Sequence, residues 1–419
     1  MRNVAVHVVE SLRKGIPPQQ GTELYSVGDE KLTDGIKRHH LSGIGDRGII
    51  RFVSGSWGSG KTHFFRILRG ASFEQGCLVS DVELNVSDAA LNRFESVFFS
   101  IVRNIATANF YLEESGLDVA PFGRIARESL SYLAAGSHST STEISYEGFE
   151  KAKDALMADH GIDIDFKKMI QAYWQTYLPD AGDQPTLEQT RDEIIQWFGG
   201  EGNVSAYRKR FGINKMVKKD NAKLMLQSLA GFVRLSGYRG LVILFDEAEQ
   251  AYSLMRRSAL RDAQNNLLSL INNIEKIPGL FLVYATTPDF FNDPKHGIVT
   301  YGALAGRIGK PEDRTPKALD LIWNLDAVSP DEGVYQEVAK KIRAIYLTAY
   351  PEAQSAIPTD EDLSTRVQSL YNQHPSLSPI RFWRVLMAAL IACFDDSLEG
   401  ETRPLEVIYD DVMDRLRED

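Results

Sequence analysis

Residues 52–68, FVSGSWGSGKTHFFRIL, run an apolar strand, a glycine-rich turn and an amphipathic helix together without a spacer. Within them Gly55, Ser56, Trp57, Gly58, Ser59, Gly60, Lys61 and Thr62 satisfy G-x-x-x-x-G-K-[ST], the phosphate-binding loop, in the strand-to-helix setting that its chemistry needs. Glycines let the backbone curl until successive N–H groups converge on phosphate oxygens, and a helix starting near Lys61 adds its positive dipole end. Lys61 is then expected to reach the β- and γ-phosphates of a nucleotide. Thr62 is expected to offer its hydroxyl to Mg2+, which takes oxygen ligands and keeps some of its waters.

The rest of the chain supplies a setting for that loop. GIIRFVSG reads as a buried strand, and GKTHFFRILRGAS as a helix with Phe64, Phe65 and Leu68 on one face. CLVSDVELNV reads as a second strand, followed by a helix whose apolar face carries Phe94, Val97, Phe98, Ile101 and Ile105. This β-α-β-α order predicts a parallel sheet. A long stretch to about residue 225 shows helical patterns, a polar piece AGSHSTSTEIS and a loop LPDAGDQPT, but no strand. The sheet resumes with GLVILFDEAEQ and GLFLVYATTPDFF, and closes with ALDLIWNL. The remainder reads as helices, the first started by Ser329 and Pro330 and later ones spanning SPIRFWRVLMAALIACF and RPLEVIYDDVMDRLRED. At the other end VAVHVVESLRKG reads as a helix closed by Gly15, with Pro17 and Pro18 behind it, then a looser glycine-rich approach to Gly48. The expected fold is α/β: a P-loop NTPase-type parallel sheet core with a large helical insertion and a C-terminal helical lid. The expected division is 1–108 and 226–328 for the core, 109–225 for the insertion and 329–419 for the lid.

The phosphate loop requires an acidic partner at the end of a neighbouring buried strand. Asp246 fits, since five apolar residues deliver it to the sheet edge where ligands bind. It is assigned to the Mg2+ shell, and Glu247 to orienting or deprotonating an attacking water; the competing reading of the pair is a solvated helix start. Thr286 and Thr287 end the next strand, where they serve either the γ-phosphate or the turn begun at Pro288. Arg307 in YGALAGRIG and Arg381 in SPIRFWR stand out as charge stabilisers, although a lone arginine is more often a surface residue.

Composition narrows the class. With 419 residues, 43% of them apolar, the chain can bury two or three domains' worth of core. No apolar run is long enough to span a bilayer, and the N-terminus lacks the apolar core and small-residue cleavage site of a secretory signal, so the expected location is the cytoplasm. Cys77 and Cys393 stand far apart and read as core thiols. A net charge of −10 argues against coating nucleic acid through overall charge. Against that background YRKRFGINKMVKKDNAK holds seven basic residues and one acid, including Arg208, Lys209, Arg210, Lys215, Lys218 and Lys219. These six form the candidate contact with a DNA backbone, the alternative being a solvated helix face; Tyr207 and Phe211 alone offer little base stacking.

The phosphate loop, ILFDEAEQ, YATTPDF, Arg307 and the helical C-terminal region together resemble the AAA+ ATPases, particularly their initiator-like branch. INKMVKKDNAKLMLQSLAGFVRLSGYRGLVILFDEAE, VVESLRKGIP and GSWGSGKTHFFRIL look like the ATP-binding proteins of BREX-type bacterial anti-phage systems, whose smaller members are encoded beside a large helicase. The resemblance puts Lys61 and Thr62 on the phosphate-loop positions, Asp246 and Glu247 on the acidic pair, Thr286 on the sensor strand and Arg381 on the lid's sensor arginine. Two departures stand out. Ile380 separates the lid's proline from Arg381, so Arg384 competes for the sensor position, and only about twenty residues follow Ser397, where initiator-like ATPases carry a winged-helix domain.

The resulting expectation is an oligomeric, Mg2+-dependent ATPase of phage defence that couples hydrolysis to DNA-associated assembly or to loading or regulating a partner helicase, with Arg307 acting on a neighbour's site. The rival is a nucleotide-dependent signalling switch that hydrolyses slowly and has no direct role on DNA. A small-molecule kinase fits less well, having no use for so large an insertion. No N/TKxD guanine-reading motif stands in a suitable place, which with the resemblance favours ATP.

Overall fold

A computed structural model describes residues 2–28, 30–108, 121–139, 143–328, 332–373 and 379–416; for residues 250, 251, 332 and 379–381 it describes the backbone alone. Six strands, β1 (Ile49–Ser54), β2 (Leu78–Glu83), β3 (Ile105–Ala106), β4 (Leu241–Asp246), β5 (Leu280–Thr286) and β6 (Ile322–Asn324), form one sheet in the order β3-β2-β4-β5-β1-β6. Every pair is parallel except β2 with β3. This is the expected α/β fold, a P-loop NTPase-like core with helical additions.

Alternation within the apolar runs explains how the sheet is covered. Leu241, Ile243 and Phe245 of β4 and Leu280, Leu282 and Tyr284 of β5 join one core, while Val242, Leu244, Phe281, Val283 and Ala285 join another. Successive side chains of a strand leave on opposite faces, so a strand apolar at every position must be covered on both. On the smaller side lies the helix Lys61–Glu74, which contributes Phe64, Phe65, Leu68 and Ala71. On the larger side the helices Pro121–Ala135, Ile164–Gln175, Gln184–Phe198 and Ala222–Leu235 bring together Phe122, Phe166, Phe198 and Phe232 in edge-on and tilted ring contacts. Trp174 is fully buried there, and its indole N–H is satisfied by Ala126 O at 2.7 Å. Asp163, Asp183 and Asn203 cap helix starts in this region by accepting from backbone N–H groups two or three residues on.

Two sequence expectations need correction. Ile105 does not continue the helix Phe94–Asn104; with Ala106 it forms β3, antiparallel to Val79 and Ser80. The approach to Gly48 is not loose, because Glu30–Ile36 is helical and runs into a π-helical turn, Lys37–Leu41. Gly35 sits inside that helix since a Cβ there would stand 2.6 Å from the Ala318 side chain. The first helix, Arg2–Arg13, closes before Gly15 at φ 67° as expected, and its buried Ala5, Val8, Val9 and Leu12 pack with C-terminal residues such as Tyr335, Ile342 and Phe394. Ser329 and Pro330 lie outside the described residues, and the helix they precede is seen from Glu332 to Ala349. Cys77 and Cys393 are buried and free, as expected. Among the described residues no helix is long and apolar enough to cross a membrane.

A bidentate ion pair helps lock the first helix to the last ones. Arg13 Nε and Nη2 each donate to the Asp395 carboxylate at 2.8 Å, and Tyr346 Oη donates to the same carboxylate at 2.7 Å. A bidentate charge-assisted pair, here about one-third exposed, is worth about 1–2 kcal/mol. Arg13→Ala is therefore expected to lower stability by about that amount. The check is the denaturant midpoint of unfolding, and an unchanged midpoint would leave the contact without energetic weight.

Candidate functional site

The phosphate loop is built by backbone conformations that only glycine adopts cheaply. Gly58 and Gly60 have φ of 80° and 87°, and a Cβ on Gly55 would sit 2.0 Å from Ser59 Oγ. β1 ends at Ser54, the loop crosses residues 55–60, and the helix starts at Lys61. Gly55 N–H donates to Thr286 O at 3.1 Å, which moors the start of the loop to the end of β5. Trp57 stands at the tip, 63% exposed, with the Lys61 ammonium 5.6 Å from its ring centre.

Sheet order brings the remaining groups to the same edge. β5 lies between β1 and β4, so Thr286 falls between the loop and the acidic pair. The Thr62 hydroxyl donates to Asp246 Oδ2 at 3.1 Å across 184 positions of chain. Glu247 follows with φ 58°, the one non-glycine residue at positive φ among those described, and its N–H donates to Asp246 Oδ1 at 2.9 Å. Ser54 Oγ, Ser59 Oγ and Thr286 Oγ1 are buried around the loop and have no hydrogen-bond partner among the described residues. Such hydroxyls suit a phosphate-bearing ligand, since a buried polar group gains most when something fills its bond. Beside Thr62, Asp246 and Glu247 opens a cleft of about 550 Å³, also walled by Arg66, Arg69 and Glu83.

Two residues of this site are not evident from the sequence. Asp326, just beyond β6, accepts from Ser56 N–H at 2.9 Å and from Ser56 Oγ at 2.8 Å, clamping the loop from its other side. Glu249, in the first turn of the helix Ala248–Leu254, brings a carboxylate oxygen to 3.8 Å from Lys61 Nζ. An acid at the end of a strand was the available signal for Asp326, as it was for Asp246.

The other singled-out residues lie apart from this cluster. Arg307 is exposed on the helix Gly302–Ile308 and takes no part in the loop's hydrogen bonds among the described residues. The Arg381 side chain lies outside the described residues, although its backbone is in the helix Pro379–Leu398. Arg384 donates to Gly15 O at 2.9 Å, just past the end of the first helix. In the basic stretch much of the charge is already matched: Arg210 pairs with Glu193, Lys215 with Asp163 at 3.4 Å and Lys219 with Asp262 at 3.1 Å, and Arg208 donates to Asn214 O at 3.1 Å. Lys209 and Lys218 are exposed.

A family model described as the BREX system ATP-binding protein BrxC/D matches residues 1–396, and the chain belongs to that family. No curated protein and no solved structure matches it.

Proposed function

We propose that this member of the BREX ATP-binding family is a Mg2+-dependent ATPase, built like the initiator-like AAA+ enzymes, whose turnover is coupled to assembly on or near DNA. The observation that supports it most is the Thr62–Asp246 hydrogen bond beside Glu247, since hydroxyl, strand-end carboxylate and second carboxylate meet next to a glycine loop. Two oxygen ligands and space for waters suit Mg2+, which when bound neutralises charge on the β- and γ-phosphates. Around it Gly55 to Thr62 cradle phosphates by backbone N–H groups, Lys61 holds the β- and γ-oxygens, and Thr286 faces the γ end from β5. Glu247 orients a water and takes its proton.

In this reading the units are the core of 1–108 and 226–328, the insertion of 109–225 and the lid of 329–419, and the helix Arg2–Arg13 at the start of the first core segment packs against the lid. By the resemblance Arg381 is the lid's sensor arginine, and exposed Arg307 completes the site of a neighbouring copy, so hydrolysis depends on oligomerisation. Partners are other proteins of the defence system, a helicase among them, and DNA held through Arg208, Lys209, Arg210, Lys215, Lys218 and Lys219.

One observation favours the second reading, a slow switch without a direct DNA role: three of those six cations have carboxylate partners within the chain. ATP hydrolysis measured with and without duplex and single-stranded DNA, over a range of protein concentrations, separates the two. Stimulation by DNA and a steeper-than-linear dependence on concentration are expected. Tight ATP binding with negligible turnover under every condition would establish the switch instead.

A further inference from the structure

The Lys61 ammonium donates two hydrogen bonds within the fold and faces one carboxylate at ion-pair distance. Gly55 O lies at 2.8 Å, Ser56 O at 3.2 Å and the Glu249 carboxylate at 3.8 Å. Both side chains are about nine-tenths buried, at 9% exposure each. Glu249 has no other cation: neither of its oxygens accepts a hydrogen bond from another residue among those described. Asp246 and Glu247 add negative charge nearby, Tyr284 is the other titratable group that senses it, and burial already pushes its carboxyl above the usual carboxylate range.

We propose that Glu249 is a positioning residue that competes with the nucleotide's phosphates for Lys61 and so weakens nucleotide binding. The geometry gives the competition a direction. A phosphate that draws the ammonium toward itself draws it away from Glu249, whose buried charge then stands beside two carboxylates and a polyphosphate with its ion-pair partner engaged elsewhere. The phosphates must therefore overcome a repulsion that a neutral side chain would not impose. Tying the loop's lysine in this way makes occupancy depend on whatever moves the helix Ala248–Leu254, on which Glu249 rides.

The inference rests on nucleotide binding alone and not on hydrolysis, so the readout is the dissociation constant of ADP, which cannot turn over, by titration calorimetry on the full chain. Glu249→Gln and Glu249→Ala each remove the charge, and both are expected to tighten ADP binding by about tenfold, while Glu249→Asp stays within about threefold of the parent protein. A merely structural role for Glu249 predicts the opposite sign, weaker binding with lower thermal stability. Unchanged or weaker ADP binding in both neutral variants would overturn the proposal, whatever their hydrolysis rates.

Discussion

Lys61→Ala is expected to weaken ATP binding by about a hundredfold or more. Two charge-assisted hydrogen bonds to phosphate at about 1.5 kcal/mol each sum to about 3 kcal/mol, and each 1.4 kcal/mol is a factor of ten in affinity. The same substitution also acts on the fold, because Lys61 donates to Gly55 O and Ser56 O and faces buried Glu249. Removing one partner leaves the other charge uncompensated, and a loss of about 1–3 kcal/mol of stability follows. The two effects separate in the double variant. Lys61→Ala with Glu249→Gln should recover most of the stability and none of the ATP binding. Calorimetric titration with ATP beside thermal unfolding checks both, and near-normal affinity in Lys61→Ala would mean that phosphates are held elsewhere.

What could be seen in advance divides by the range of the interaction. β1, β2, β4, β5 and β6 were legible because each is an apolar run long enough to show its character. β3 was not, being two residues long at the end of an amphipathic helix, where Ile105 fits the helical period as well as the strand. The helix Glu30–Ile36 hid behind Gly35, whose reason lies in its contact with Ala318. The first helix was legible as a helix, but its partner is Asp395, 382 positions away, which no local pattern announces. At the site, Lys61, Thr62 and Asp246 were legible because the chemistry demands those residue types next to a strand end. Asp326 follows a strand of only three residues, and Glu249 reads as an ordinary acid in a helix's first turn, favoured there by the dipole alone. The basic stretch shows the converse: its cations are local in sequence, while their partners Glu193, Asp163 and Asp262 are not.

Glu247→Gln is expected to keep ATP binding within a few-fold and to cut turnover by about 10²–10⁴, the usual contribution of a general base. Glutamine preserves the shape and the backbone but cannot take a proton from water, so the loss falls on the chemical step and not on affinity. The backbone offers an independent check. At φ 58° Glu247 occupies the left-handed region that a side chain disfavours, and the N–H bond to Asp246 holds it there. Relief of that strain is worth about 1 kcal/mol, so Glu247→Gly should leave the protein as stable or more stable while turnover is lost. A residue kept for folding would show both falling together. Opposite movements of stability and turnover, read by thermal unfolding and by phosphate release, would mark Glu247 as held in strain for the reaction; intact turnover in Glu247→Gln would take the proton-accepting role from it and leave Asp246 as the acidic group of the site.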